Sequence, residues 1–271
     1  MKKYIKYSLI LIQCIIISKA VIAQDNPSDL TQNSIELEAY LDIYYSYDFA
    51  RPESYQKQLY FYNYNRQNSF QLNLGYLKVK WLREKYRANL VLQAGTYAED
   101  NYTAEPGLLK HVFEANAGLA LNSKNTFWLD VGIFSSHIGF ESANAFDNWT
   151  LTRSLAAENS PYYLSGLKMS YDVTPRFQLT SLVCNGWQRI QKVAGNSLLS
   201  FGTQVKITPK EGWLINWSSF IGTDDPDSLR RMRYFNNFYA QMQYSKAWSV
   251  ILGMDLGFQQ VSKGVQISKL G

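Results

Sequence analysis

The chain repeats one pattern about ten times: roughly ten to thirteen residues that alternate apolar and polar, followed by a turn. In the stretch 35–49 the odd positions are Ile35, Leu37, Ala39, Leu41, Ile43, Tyr45, Tyr47 and Phe49, whereas the even ones include Glu36, Glu38, Asp42 and Asp48. Successive side chains of a strand point to opposite faces, so one face is apolar and the other wet. Runs of this length are about twice the usual strand of a soluble domain and match the 9 to 11 or more residues that a tilted strand needs to cross a bilayer. The fold class that follows is all-β: an antiparallel transmembrane β-barrel of the outer membrane.

The first 23 residues carry a different signal. Lys2, Lys3 and Lys6 precede an apolar run from Tyr7 to Ile17, and Val21 and Ala23 supply small or moderate side chains before a cleavage point. The expectation is a signal peptide over 1–23, a polar periplasmic lead-in over 24–34 and a barrel over 35–271. The apolar run is too short for a spanning helix of about 20 residues. A lipidated Cys14 is disfavoured by the Gln13 before it.

Removing that segment changes the charge argument. The whole chain has 27 lysines and arginines against 22 acids, but four of the lysines and none of the acids lie in 1–23. The remainder therefore has 23 basic against 22 acidic residues, and its near-neutral balance gives no reason to expect a nucleic-acid partner. Only Cys184 would remain, so stability must come from burial and strand pairing rather than a disulfide framework. No run of 18 apolar residues follows position 24, which leaves a closed barrel as the way for this chain to span lipid.

Short turn signals fall at 83–85, 122–125, 172–175, 208–212 and 245–247, and longer polar connections at 50–68, 98–110, 134–162, 189–196 and 223–231. Short turns on one side and long loops on the other are the asymmetry of outer-membrane barrels. Eleven strands are expected, at 35–49, 69–82, 86–97, 111–121, 126–134, 163–172, 176–186, 197–207, 212–222, 232–244 and 247–260. Single-chain bacterial barrels have even strand numbers. Eleven to twelve visible strands, and a tail over 261–271 with no full strand, predict a C-terminally truncated barrel with an open edge at 247–260.

Aromatic residues recur where strands meet turns: Tyr45, Tyr47, Trp81, Tyr86, Tyr97, Trp128, Phe134, Tyr171, Phe177, Trp187, Trp213, Phe220, Tyr244 and Trp248. Amphipathic rings favour the bilayer interface, so these predict two girdles. The polar face predicts lumen-facing Arg87, Asn89, Gln93, Lys168, Gln204, Lys206, Gln241 and Gln243.

The central segment carries a family resemblance. WLDVGIF (128–134), SSHIGFES (135–142), LTRSL (151–155), AENSPYY (157–163) and NGWQ (185–188), in that order, resemble the OmpL-like outer-membrane porins of the β-barrel porin-2 family. The resemblance implies a passive diffusion pore for small hydrophilic solutes or ions, in contact with outer-membrane lipid and lipopolysaccharide and delivered by the barrel-assembly machinery. It brings no catalytic residues and no cofactor. A homo-oligomer is compatible with it. The alternative is a non-conducting barrel whose external loops serve as an adhesin or surface receptor.

The 29-residue connection over 134–162 is longer than a passive loop needs to be. It could fold inward as a constriction, with His137, Glu141, Arg153 and Glu158 setting a field across the pore, or remain a solvated external loop. Arg230, Arg231 and Arg233 follow Asp224, Asp225 and Asp227, which predicts a self-neutralising loop; the acids could alternatively hold a divalent cation. The chain has two histidines, His111 and His137, and no Gly-x-Ser-x-Gly elbow or His-Glu-x-x-His motif, so neither catalysis nor a metal site is expected.

Overall fold

The computed structural model describes residues 10–20, 34–57, 61–264 and 266–270. Its described residues form one antiparallel sheet of thirteen strands, each paired with its neighbours in chain order. The strands are β1 (Ile10–Ala20), β2 (Ser34–Tyr47), β3 (Ser69–Leu82), β4 (Tyr86–Ala94), β5 (Val112–Ala120), β6 (Phe127–Ser135) and β7 (Tyr163–Thr174). They continue through β8 (Phe177–Cys184), β9 (Ser200–Ile207), β10 (Trp213–Gly222), β11 (Arg233–Gln243), β12 (Ser249–Ser262) and β13 (Gln266–Leu270).

β2 to β12 are the eleven strands legible in the alternation. The two further strands lie at the ends. β1 falls within the expected export segment, and its backbone runs along β2 from Ile10 opposite Tyr47 to Ala20 opposite Leu37. A free strand edge is a row of unpaired amides and carbonyls, and an isoleucine-rich segment is well suited to cover it. Lys2, Lys3, Lys6, Tyr7, Val21, Ala23 and residues 24–33 of the lead-in lie outside the described residues. At the other end the tail, expected to hold no full strand, supplies the five-residue β13, which pairs with Gly257–Ser262 of β12. The expected open edge is thus covered in part: Ser249–Leu256 has β11 on one side and no second partner among the described residues. No ladder there joins β13 to β1 or β2.

The face assignment follows the alternation. On β2, Tyr40, Asp42, Tyr44 and Ser46 are buried, whereas Ile35, Leu37, Leu41 and Ile43 are exposed. On β12, Val250, Leu252 and Met254 are likewise exposed. An apolar exterior around a polar and tyrosine-rich interior is the inverse of a soluble domain and suits a wall facing lipid. Trp81, Tyr86, Tyr171, Tyr244 and Trp248 form an exposed aromatic band at the short-turn end. Five of the expected girdle residues point the other way: Tyr97, Phe134 and Phe220 are fully buried, and Trp187 and Trp128 are half-buried, the latter under the Arg87 guanidinium at 4.2 Å. Phe134 and Phe220 sit on the inward parity of their strands, and Tyr97 and Trp187 lie beyond strand ends, where alternation no longer assigns a face.

Five connections on one end are long: L1 (48–68), L2 (95–111), L3 (136–162), L4 (185–199) and L5 (223–232). L2 contains a short helix, α1 (Thr96–Asn101), opened by Gly95 with φ +118°. That glycine ends β4 three residues earlier than the alternation suggests and turns Tyr97 inward.

Candidate functional site: a loop folded across the lumen

L3 touches both ends of the sheet. On one side, Ala145 N donates to Tyr40 Oη at 3.2 Å and Asn144 Nδ2 to Tyr76 Oη at 3.3 Å, which ties the loop to β2 and β3. On the other, Gly139 N donates to Asn237 Oδ1 on β11 at 3.1 Å. The sheet therefore wraps around L3, and the loop crosses the interior from wall to wall.

Two wall glycines make the far attachment. A Cβ at Gly202 on β9 would lie 2.7 Å from His137 Nε2, and one at Gly253 on β12 would lie 3.0 Å from the Phe140 ring. The wall is thus dented where the loop presents the rings of His137 and Phe140. His137 Nε2 lies 2.7 Å from Ser219 O, so the neutral ring must carry its proton there to donate. The His137 carbonyl accepts from Ser218 Oγ at 2.6 Å and Gln204 Nε2 at 2.8 Å. Burial lowers the pKa of His137 to about 4, with Lys168 and Lys206 acting in the same direction and the Ser219 carbonyl opposing.

The C-terminal half of L3 is held by charge. Arg153 Nε donates to Glu158 Oε1 at 3.2 Å, both side chains are buried, and the Arg153 guanidinium lies 4.1 Å from the Tyr162 ring centroid. Glu158 also accepts from Tyr62 N at 2.8 Å and Asn63 Nδ2 at 2.9 Å, both in L1. Glu141 accepts from Ser154 N and Oγ within L3. Of the four expected constriction residues, the fold thus brings Arg153 and Glu158 together, leaves Glu141 beside Ser154, and places His137 against β9 and β10.

The other loops lock onto this plug. Glu105 of L2, 2% exposed, accepts from Tyr163 Oη at 3.0 Å and from the amides of Ile190 and Gln191 at 2.7 and 3.1 Å. Arg66 of L1 grips Asp100 with two nitrogens, at 2.8 and 3.0 Å. In L5, Arg231 binds Asp225 through Nε and Nη2, at 2.8 and 2.9 Å, and holds that carboxyl below its usual range. Arg230 pairs with Asp227 at 2.7 Å. The loop neutralises itself, and no cluster of His, Cys, Asp or Glu among the described residues could hold a metal. Glu105 and Asp100 escape sequence reasoning because their partners are distant in the chain.

The polar residues expected in the lumen lie on the buried parity of their strands. Arg87 Nε donates to Asp130 Oδ1 at 2.7 Å, Asn89 Nδ2 to Asn116 Oδ1 at 3.2 Å and Gln93 Nε2 to Lys110 O at 2.9 Å. Gln204 binds His137, and Lys168 Nζ lies 4.6 Å from the Phe134 ring centroid. Lys206 shares the inner face of β9, Gln241 lines an interior cavity, and Gln243 is exposed at the short-turn end. Ser135 Oγ is bound to Glu114 and Ser136 Oγ to the Ile138 amide, so neither hydroxyl is hydrogen-bonded to His137.

Cavities remain on both sides of L3. One of about 540 Å³ lies between the loop and the walls of β2, β3, β5 and β11. Another of about 590 Å³ lies among L2, L3, L4 and L5. Ser160 lines both.

An antiparallel sheet with an apolar exterior, wrapped around a polar interior and an inserted loop, is the setting in which the family comparison gains meaning. The family model described as putative beta-barrel porin-2, OmpL-like, matches residues 34–270. The chain belongs to this family. Neither a curated protein nor a solved structure matches it. The match begins at the first residue of β2 and ends at the last of β13.

Proposed function

We propose that this barrel sits in the bacterial outer membrane and gives small hydrophilic solutes passive passage, with L3 as its constriction. The observation that carries the reading is L3 itself, which crosses the lumen and leaves a cavity on either side, with Ser160 lining both. His137, Arg153 and Glu158 hold the loop in place; Glu141 lines the inner cavity. Inward polar side chains such as Lys168, Lys206 and Gln241 complete the wetted wall.

In this reading residues 1–23 are a signal peptide whose removal takes β1 away. The apolar exterior contacts outer-membrane lipid and lipopolysaccharide, and insertion depends on the barrel-assembly machinery.

The test is single-channel conductance of the refolded protein in a planar bilayer. Stable ohmic steps that enlarge when 139–160 is replaced by a short glycine linker support the pore and its constriction. A folded, heat-modifiable protein that stays silent in both forms overturns it. The interlocked L1, L2 and L4 would then favour the receptor or adhesin reading, because a loop end cemented by Glu105 is a rigid display surface.

A further inference from the structure

The two cavities differ in charge. The inner one, on the short-turn side of L3, is lined by Glu38 of β2, Glu114 of β5, and Glu141 and Asp147 of L3, with Lys78 of β3 as its single cation. Lys78 lies directly opposite Glu38 in the β2–β3 register and offsets that carboxylate, Lys168 acts on the Glu114 charge from outside the lining, and Glu141 and Asp147 remain as the excess. The hydrogen-bond partners of the glutamates are neutral: Glu38 accepts from Tyr76 Oη at 2.6 Å, Glu114 from Ser135 Oγ, and Glu141 from Ser154. Asp147 has no side-chain hydrogen bond or ion pair among the described residues.

The rest of that lining concentrates the field. Tyr40, Tyr76, Phe113, Phe140 and Tyr239 give the chamber aromatic walls, and low-dielectric walls bearing charge of one sign raise the local concentration of counter-ions. Three inward cations stand outside the lining: Arg87 is committed to Asp130, Lys168 lies over Phe134 within reach of the Glu114 charge, and Lys206 is on the inner face of β9. In the outer cavity, the carboxylates of Asp100 and Glu158 are taken by Arg66 and Arg153, leaving Arg189 and Arg233 against Asp224. The excess negative charge therefore belongs to the inner chamber.

We propose that the inner chamber is the charge filter of the pore, passing solutes of net positive charge ahead of solutes of net negative charge and the same size. This rests on the porin reading and adds the solute class. The experiment is the reversal potential of the reconstituted protein under a potassium chloride gradient, paired with liposome swelling in lysine and in glutamate. A reversal potential on the cation side and several-fold faster swelling in lysine are expected. Asp147→Asn, which removes a carboxylate without breaking a hydrogen bond, should reduce both effects, and Asp147→Asn with Glu114→Gln should reduce them further. Arg189→Gln in the outer cavity should move selectivity the opposite way. A conducting channel that reverses at zero or on the anion side, or whose selectivity ignores both inner-chamber variants, overturns the filter and leaves the porin standing; silence in every condition overturns the two together.

Discussion

The two ends of the barrel are built on different principles. At the short-turn end, contacts join a turn to itself or to the adjacent hairpin. Lys85 Nζ donates to Asn122 O at 2.9 Å and Asn125 Oδ1 at 2.7 Å, and Asn122 Oδ1 accepts from the Thr126 amide at 3.0 Å. At the loop end the partners are far apart in the chain and buried: Glu105 joins L2 to β7 and L4, and Glu158 joins L3 to L1. A turn can form wherever its own few residues are present, whereas the plug exists only when the sheet has brought its walls together. Mutations should therefore be costly at the loop end and cheap at the other.

The largest effect is expected from Glu105→Ala, which strips the acceptor from a buried hydroxyl and two amides. At about 1–3 kcal/mol for each buried donor left unsatisfied, the loss should reach about 3 kcal/mol or more. It would be read as a lower denaturant midpoint in detergent and faster proteolysis of L4.

The second is a dependence on pH. His137 has its folded pKa near 4 against about 6.5 when free, so the docked loop favours the neutral ring. As pH falls from about 6.5 to about 4 the undocked ring takes a proton that the docked one resists, and docking weakens; below that window the difference is constant. At 1.36 kcal/mol per pKa unit the full loss is about 3 kcal/mol. Proteolysis of L3 should rise across this window, and His137→Gln, which can still donate to the Ser219 carbonyl, should remove the dependence. Cleavage in the turn at 122–126 should stay constant.

Gly202→Ala comes next, at about 1–3 kcal/mol for overpacking, because the new methyl occupies the dent that receives His137. Its signature is a more mobile L3 with the sheet intact, visible as noisier channel current at unchanged far-UV circular dichroism. The smallest effect belongs to Lys80→Ala at the short-turn end. Lys80 reaches Glu36 at 3.3 Å with both side chains exposed, and such pairs contribute about 1 kcal/mol or less. A large shift in midpoint there would abolish the contrast between the ends.

The wall was legible in the sequence and the plug was not. β3 spans Ser69–Leu82, as its alternation predicts, because lipid on one side and water on the other force a two-residue period on every spanning strand. The prediction for β4 ran to Tyr97 since the period continues past Ala94, but Gly95 redirects the chain into α1. The length of L3 marked it as unusual. Nothing in the alternation said that His137 and Phe140 would meet the wall. Glu105 looked like any polar loop residue, since its three donors lie 58 to 86 positions away.

Those separations also order the events of assembly. The ring of His137 rests on a carbonyl 82 residues downstream, and Gly139 binds a side chain 98 residues downstream. L3 cannot seat while the chain through β6 is the only part in place; it must wait for β9 to β12, and such long-range closures form late. A half-built barrel consequently carries an untethered loop and an unobstructed interior. The last strands to arrive thus set the free width of the lumen as well as extending its wall.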